Sequence, residues 1–208
     1  NLSKKNHNTV ADMVKGKASS LGLVTPSFVS ALFCAMLCTL ALSFLVSAGC
    51  AVTILDESNL QGTTGSKYWQ ITAPGEYVTS LPGQQLSTNN NYAIWILASD
   101  VILDGNGLTI TGSGIPENPG SGSGYGIRVV NGHNITIKNF IVMKKYYGLI
   151  FDGCTDARAE NMDMNNNKFG IYTCNTGDLQ VLNSEFSQNS AGVNLITPQN
   201  CLIQSCNL

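Results

Sequence analysis

Two periods are superposed on the hydrophobic pattern of this chain. Positions 135/137, 157/159, 179/181 and 201/203 carry Ile/Ile, Ala/Ala, Leu/Val and Cys/Ile, and Thr136, Arg158 and Gln180 stand between them. Apolar residues two apart with a polar residue between are the mark of a short half-buried strand. The same alternation returns at Ile127/Val129, Leu149/Phe151, Ile171/Thr173 and Val193/Leu195, and a third apolar column runs through Val142, Met164, Phe186 and Leu208. The longer period is 22 residues: Tyr125-Gly126-Ile127, Tyr147-Gly148-Leu149, Phe169-Gly170-Ile171 and Ala191-Gly192-Val193 recur at that interval. An earlier copy, Tyr92-Ala93-Ile94, precedes the first by 33, the excess lying mainly in the insertion Gly112–Gly124. Three strands this short cannot bury an apolar face alone, whereas coils stacked about 4.8 Å apart pair every backbone group with the coil above and below. The pattern predicts a β-solenoid.

Polar columns mark its corners. Asn134, Asp156, Asp178 and Asn200, with Asp100 before them, form one column, and Asn139, Asn161, Asn183 and Ser205 form another five residues later. Asn and Asp accept left-handed backbone geometry and hydrogen-bond locally, so both columns read as turns. The repeat units Tyr125-Gly126-Ile127 and Asn134-Ile135-Thr136-Ile137-Lys138-Asn139 resemble the right-handed parallel β-helix repeats of the pectin-lyase-like superfamily. The branch they resemble is the NosD-like one of carbohydrate-binding and sugar-hydrolysis proteins. The stretch from Ile71 to Tyr77, followed by Val101–Ile110, is similar to the opening of such domains in surface proteins of methanogenic archaea. The expected architecture is therefore all-β, a right-handed parallel β-helix of about 22 residues per coil, preceded by a hydrophobic helix. Coils are expected over 92–208, running on past the end of the sequence, with a strand-rich amino-terminal cap over 52–91.

From Phe28 to Ala48 no residue is charged, and at 1.5 Å per residue such a helix spans roughly 30 Å, enough for a bilayer core. Residues 1–27 carry Lys4, Lys5, Lys15 and Lys17 against Asp12, which places the amino end in the cytoplasm. Residues 28–48 are thus expected as a signal peptide or membrane anchor, with everything after about residue 50 extracytoplasmic, anchored at the cell surface or secreted. Val46-Ser47-Ala48 has signal-peptidase spacing, and Cys50 stands where a lipid could be attached. Residues 51–208 hold seven cations against twelve acids, a balance unsuited to nucleic acid or anionic lipid. The expected partners are polysaccharide or cell-envelope components, with membrane contact through residues 28–48.

Candidate chemistry is sparse. A sugar hydrolase needs converging carboxylates; Asp163 and Glu185, one coil apart in a column with Ile141 and Asn207, form the best pair, though ordinary strand charge accounts for them. Gly132-His133-Asn134 lies in a corner with no aspartate pair before it, and His133 reads as a turn residue. A calcium-dependent lyase needs a carboxylate cluster, for which Asp100, Asp156 and Asp178 are candidates, but their corner role explains them as well. Lys138 and Glu160 stack and are expected to form an ion pair. The NosD-like resemblance implies copper chemistry with sulfur ligands; Met143, Met162 and Met164 read instead as core filling. Cys34 and Cys38 fall in the apolar run, and Cys154, Cys174, Cys201 and Cys206 are scattered, so neither a disulfide nor a zinc site is expected. No cofactor or catalytic residue is assigned. What remains for ligand contact is the outward column of Arg128, Tyr172 and Asn194, with Ile150 among them, near the Gly112–Gly124 excursion. The expected protein is a non-catalytic surface β-helix with a structural, adhesive or carbohydrate-contacting role; the alternative is a polysaccharide lyase or glycoside hydrolase with its active site partly beyond this sequence.

Overall fold

The structure, a computed structural model, describes residues 51–89, 91–114 and 124–208. The apolar run 28–48, Cys34, Cys38, Cys50 and most of the 112–124 insertion lie outside the described residues. No helix among the described residues is long and apolar enough to cross a membrane.

Sixteen strands follow one another: β1 Thr53–Leu55, β2 Trp69–Ile71, β3 Gly75–Thr79, β4 Gln85–Ser87, β5 Tyr92–Ile96, β6 Val101–Thr111, β7 Tyr125–Val130, β8 His133–Met143, β9 Tyr147–Asp152, β10 Thr155–Glu160, β11 Asp163–Asn165, β12 Phe169–Cys174, β13 Gln180–Leu182, β14 Glu185–Ser187, β15 Ala191–Ile196 and β16 Leu202–Gln204. They form two parallel sheets. One has the order β1-β3-β6-β8-β10-β13-β16, with β4, β11 and β14 alongside; the other is six-stranded, β2-β5-β7-β9-β12-β15. Each coil contributes to both sheets, which makes a parallel β-solenoid of about six turns at roughly 22 residues per turn. The register is that of the repeat, Tyr125↔Tyr147↔Phe169↔Ala191 and Arg158↔Gln180. Tyr92 pairs with Tyr125 across the 33-residue interval.

The strands of the stretch 52–91 enter the same two sheets: β1 pairs with β3, β2 with β5, and β3 and β4 with β6, all in parallel. Two of the three strands expected per coil are fused in β6, which runs through the corner at Asn106, and in β8, which runs through the corner at Asn139; in later coils they separate into β10/β11 and β13/β14.

Inward positions make one continuous core, with Ile94, Ile127, Leu149 and Ile171 on one wall and Ile135, Ile137, Ala157, Ala159 and Val181 on the other. The glycine after each aromatic is set by room rather than by backbone geometry. A Cβ on Gly148 would lie 2.5 Å from the Gly170 carbonyl oxygen and 2.8 Å from Met164 Sδ, so the third wall of the coil packs directly on bare backbone.

Both predicted corner columns adopt left-handed geometry, Asp100, Asn134, Asp156, Asp178 and Asn200 at φ 50–56° and Asn139, Asn161, Asn183 and Ser205 at φ 48–60°. Two further columns do the same: Lys144, Asn166 and Gln188, and Asn131, Asn175 and Thr197. Side chains ladder between coils, Asn134 Nδ2 donating to Asp100 Oδ1 at 2.9 Å and Asn161 Nδ2 to Asn139 Oδ1 at 3.1 Å. A second ladder is internal. Buried Asn167 donates to the Val142 carbonyl (2.9 Å) and accepts from the Lys145 amide (3.0 Å), and Asn189 repeats the pattern with the Met164 carbonyl and the Asn167 amide (2.7 and 2.9 Å). One coil earlier the same position is Lys145, which is fully buried and sends Nζ to the Thr88 carbonyl at 2.7 Å.

The expected pairing of Lys138 with Glu160 gives way to others. The two residues are in register, but Lys138 Nζ lies 3.4 Å from Asp104 and Glu160 holds Arg158 at 2.9 Å. Asp104 is the register neighbour of Lys138 on its other side, equally within reach, and Arg158, on Glu160's strand face two residues away, takes up Glu160.

Candidate functional site

Because successive residues of a strand point to opposite faces, the residue between two buried wall positions must face outward. In the six-stranded sheet those outward residues align coil over coil as Gln70, Trp95, Arg128, Ile150, Tyr172 and Asn194. Five of the six are planar amide, aromatic or guanidinium groups. At about 4.8 Å per step the column is about 24 Å long and runs along the solenoid axis. Sequence reasoning found Arg128, Tyr172 and Asn194 in it and missed Gln70 and Trp95, which stand 25 and 33 residues before the next member rather than 22.

A stack of aromatic rings borders this column at the start of the strands. Tyr125, Tyr147 and Phe169 stack nearly parallel, with centroids 5.1 and 5.4 Å apart and interplanar angles of 12° and 17°. Tyr172 meets Tyr147 edge-on at 5.0 Å, and Tyr146 packs against Tyr147 at 4.7 Å. Desolvation in this cluster, joined by the neighbouring phenols Tyr146, Tyr172 and Tyr125, pushes the Tyr147 hydroxyl up from its ordinary value. Cations flank the stack. The Arg128 guanidinium lies 5.1 Å from the Tyr125 centroid and touches Asp152 at 3.5 Å, and Lys168 Nζ stands 4.7 Å from the Tyr146 centroid and 5.8 Å from Phe169. A second ring group, Tyr68–Tyr92–Trp95, lies on the preceding coils, with centroids 5.1 and 4.8 Å apart. Flat apolar faces bordered by N–H donors can hold a ligand that is itself flat, apolar on its faces and hydroxylated at its edges.

The other candidates are placed as follows. Asp163 and Glu185 are register partners on β11 and β14, with Ile141 and Asn207 on either side. Asp163 accepts a hydrogen bond from Asn165 Nδ2 at 3.1 Å, and Glu185 is exposed. Asp100 and Asp178 accept from the corner amides of Asn134 and Asn200, and Asp156 occupies the left-handed corner between them. His133 is exposed, with Nδ1 3.9 Å from Asp100. Among the described residues no three His, Cys, Asp or Glu side chains gather as a metal site. Met162 and Met164 are core residues, Met143 is half-buried, and the four described cysteines are free thiols. In β6, burial alone would push the Asp104 carboxyl up; hydrogen bonds from Asn139 and the Asn106 amide, with Lys138 beside it, outweigh that and leave it below its ordinary value.

Comparison with known proteins agrees with this architecture. Residues 106–208 match the model of the NosD family, described as periplasmic copper-binding protein. Among the described residues Met162 and Met164 are buried in the core, and no three His, Cys, Asp or Glu side chains gather. A comparison with curated proteins finds no match. Among solved structures, a protein from Parabacteroides merdae provisionally described as a glycosyl hydrolase superposes with a TM-score of 0.53 at 11% identity, over 80% of this chain and 86% of its own. That likeness is one of fold. Residues 106–208 are therefore a NosD-like stretch of parallel β-helix.

Proposed function

We propose that this chain is a non-catalytic, extracytoplasmic β-helix protein that contacts carbohydrate of the cell envelope through the outward face of its six-stranded sheet. The observation that carries the reading is the column Gln70–Trp95–Arg128–Ile150–Tyr172–Asn194, an axial strip of planar side chains bordered by stacked rings. Its length suits a linear polymer better than a small molecule, and a rigid solenoid orders it in advance, which lowers the entropy lost on binding. The periplasmic description of the NosD family supports the location. Residues 28–48 would serve as leader or tether. A glycan array probed with the full chain, and with its Tyr172→Ala and Arg128→Ala variants, tests the assignment: binding is expected and should weaken in both variants. Unchanged binding by both would remove this face from consideration.

The alternative, a polysaccharide lyase or glycoside hydrolase, draws on the description of the Parabacteroides merdae neighbour and on the stacked pair Asp163 and Glu185. Turnover of a polysaccharide that is abolished by Asp163→Asn or Glu185→Gln would favour it.

A further inference from the structure

Two buried nitrogen donors on this face, Trp95 Nε1 and Arg128 Nε, have no hydrogen-bond partner among the described residues. They belong to register neighbours in the outward column, so about 4.8 Å of sheet separates their backbones. A buried N–H left unpaired costs about 1–3 kcal/mol, and two at one step of one column mark a place where an acceptor is missing. The surroundings define what that acceptor belongs to. The Trp95 ring packs on Tyr92 at 4.8 Å, and Arg128 lies over Tyr125, so each donor stands beside an aromatic ring. The other tryptophan, Trp69, shows the satisfied condition, with Nε1 donating to the Asp56 carbonyl at 3.0 Å.

Charge decides the class of ligand. Arg128 is already balanced by Asp152, whose carboxylate lies 3.5 Å away. A second carboxylate drawn to this point would meet that of Asp152, and like charges held close disfavour each other. A neutral hydroxyl or ring oxygen supplies the missing acceptor without that cost. We propose that Trp95 and Arg128 form the central subsite of the glycan-binding face and accept a neutral sugar residue, with Trp95 Nε1 and Arg128 Nε donating to its oxygens and the Tyr92 and Tyr125 rings bordering it. The proposal rests on the carbohydrate reading above and locates its strongest point two coils from Tyr172. Because both donor atoms are shielded, the Arg128 side chain must swing to admit the sugar. The guanidinium keeps its contact with half-exposed Asp152 as the side chain moves.

The test uses the full chain with 15N-labelled indoles, which gives two side-chain resonances because the sequence holds two tryptophans. The probes are cello- and chito-hexasaccharides, with a hexagalacturonate as the acidic comparison. A neutral hexasaccharide is expected to shift the Trp95 indole N–H resonance and slow its exchange while leaving that of Trp69 in place. Trp95→Phe, which keeps a ring and removes the donor, should weaken binding three- to tenfold. If a neutral glycan binds and Tyr172→Ala weakens it, yet the Trp95 resonance does not move and Trp95→Phe binds normally, the subsite falls and the face survives. Tighter binding of the hexagalacturonate overturns the neutral-sugar assignment. No binding of any glycan overturns both readings.

Discussion

Lys145 donates its ammonium to the carbonyl oxygen of Thr88, 57 residues earlier in the chain and 2.7 Å away, from a position wholly inside the solenoid. The two later coils fill the equivalent place with Asn167 and Asn189, each reaching one coil back. Lys145 reaches further, past Gly112, where the chain leaves on its excursion; a Cβ on that glycine would sit 2.8 Å from Lys145 Cδ. Burial pushes its ammonium down to about 8. Between that value and the ordinary 10.5, the unfolded chain holds a proton that the folded chain has released, so stability rises with pH across this window. Below about 8 both states are charged and the burial penalty is constant. Melting temperature is therefore expected to rise from pH 8 to 10 by the equivalent of a contribution on the order of 3 kcal/mol, opposed by any losses elsewhere. The same scan on Lys145→Met should lack this rise; an identical rise in both proteins would show that Lys145 is not its source.

The glycine column makes a sharper claim. Gly148→Ala forces a methyl group to within 2.8 Å of Met164 Sδ and 2.5 Å of the Gly170 oxygen, and is expected to cost about 3 kcal/mol, the upper end of overpacking effects. Gly177→Ala meets nothing nearer than 3.9 Å and should be close to neutral. Urea unfolding of the two variants should separate them clearly, and equal stabilities would refute the packing argument.

Asn167 is expected to matter more than any corner asparagine on the surface. Asn167→Ala leaves the Val142 carbonyl and the Lys145 amide unpaired inside the coil, a loss of about 2–3 kcal/mol. Asn167→Asp should be worse, since a buried carboxylate accepts but cannot donate. At Asn161, exposed with φ at 51°, glycine should be nearly neutral, because it takes that geometry freely. Thermal unfolding of the four proteins gives the order directly.

Cys154 is buried, and desolvation raises its thiol above the ordinary value, outweighing the lowering effect of the Gly132 and Asp152 backbone. It should resist alkylation at pH 8 in the folded chain and react fully in urea, as read by peptide mass spectrometry. Rapid native labelling of Cys154 would mean that this corner opens.

Much of this architecture is legible in the sequence because period-two alternation and a 22-residue recurrence fix both the facing of each side chain and its neighbours one coil away. That was sufficient to align Arg128, Tyr172 and Asn194 and to stack Asp163 on Glu185. It was insufficient for Gln70 and Trp95, whose coils are lengthened, so that counting by 22 misses them. The internal ladder was hidden for a different reason. Asn167 and Asn189 look like turn residues, and only their burial distinguishes a hydrogen bond made inside the coil from one made to water. In the column 145/167/189 a lysine among asparagines marks the coil whose partner lies further away.

A strip of contacts that gains one rung per coil ties reach to chain length in fixed increments. Deleting or duplicating 22 residues, for example one unit from Tyr147 to Lys168, joins Tyr146 to Phe169 in phase and moves no remaining side chain to the wrong side of the wall. A single residue added or removed within a strand would instead turn the wall positions that follow it in that strand to the other face. A gene encoding such a chain can therefore vary the span of its contact surface by recombination between its own repeats, with grip adjusted by counting coils while every surviving coil stays unchanged.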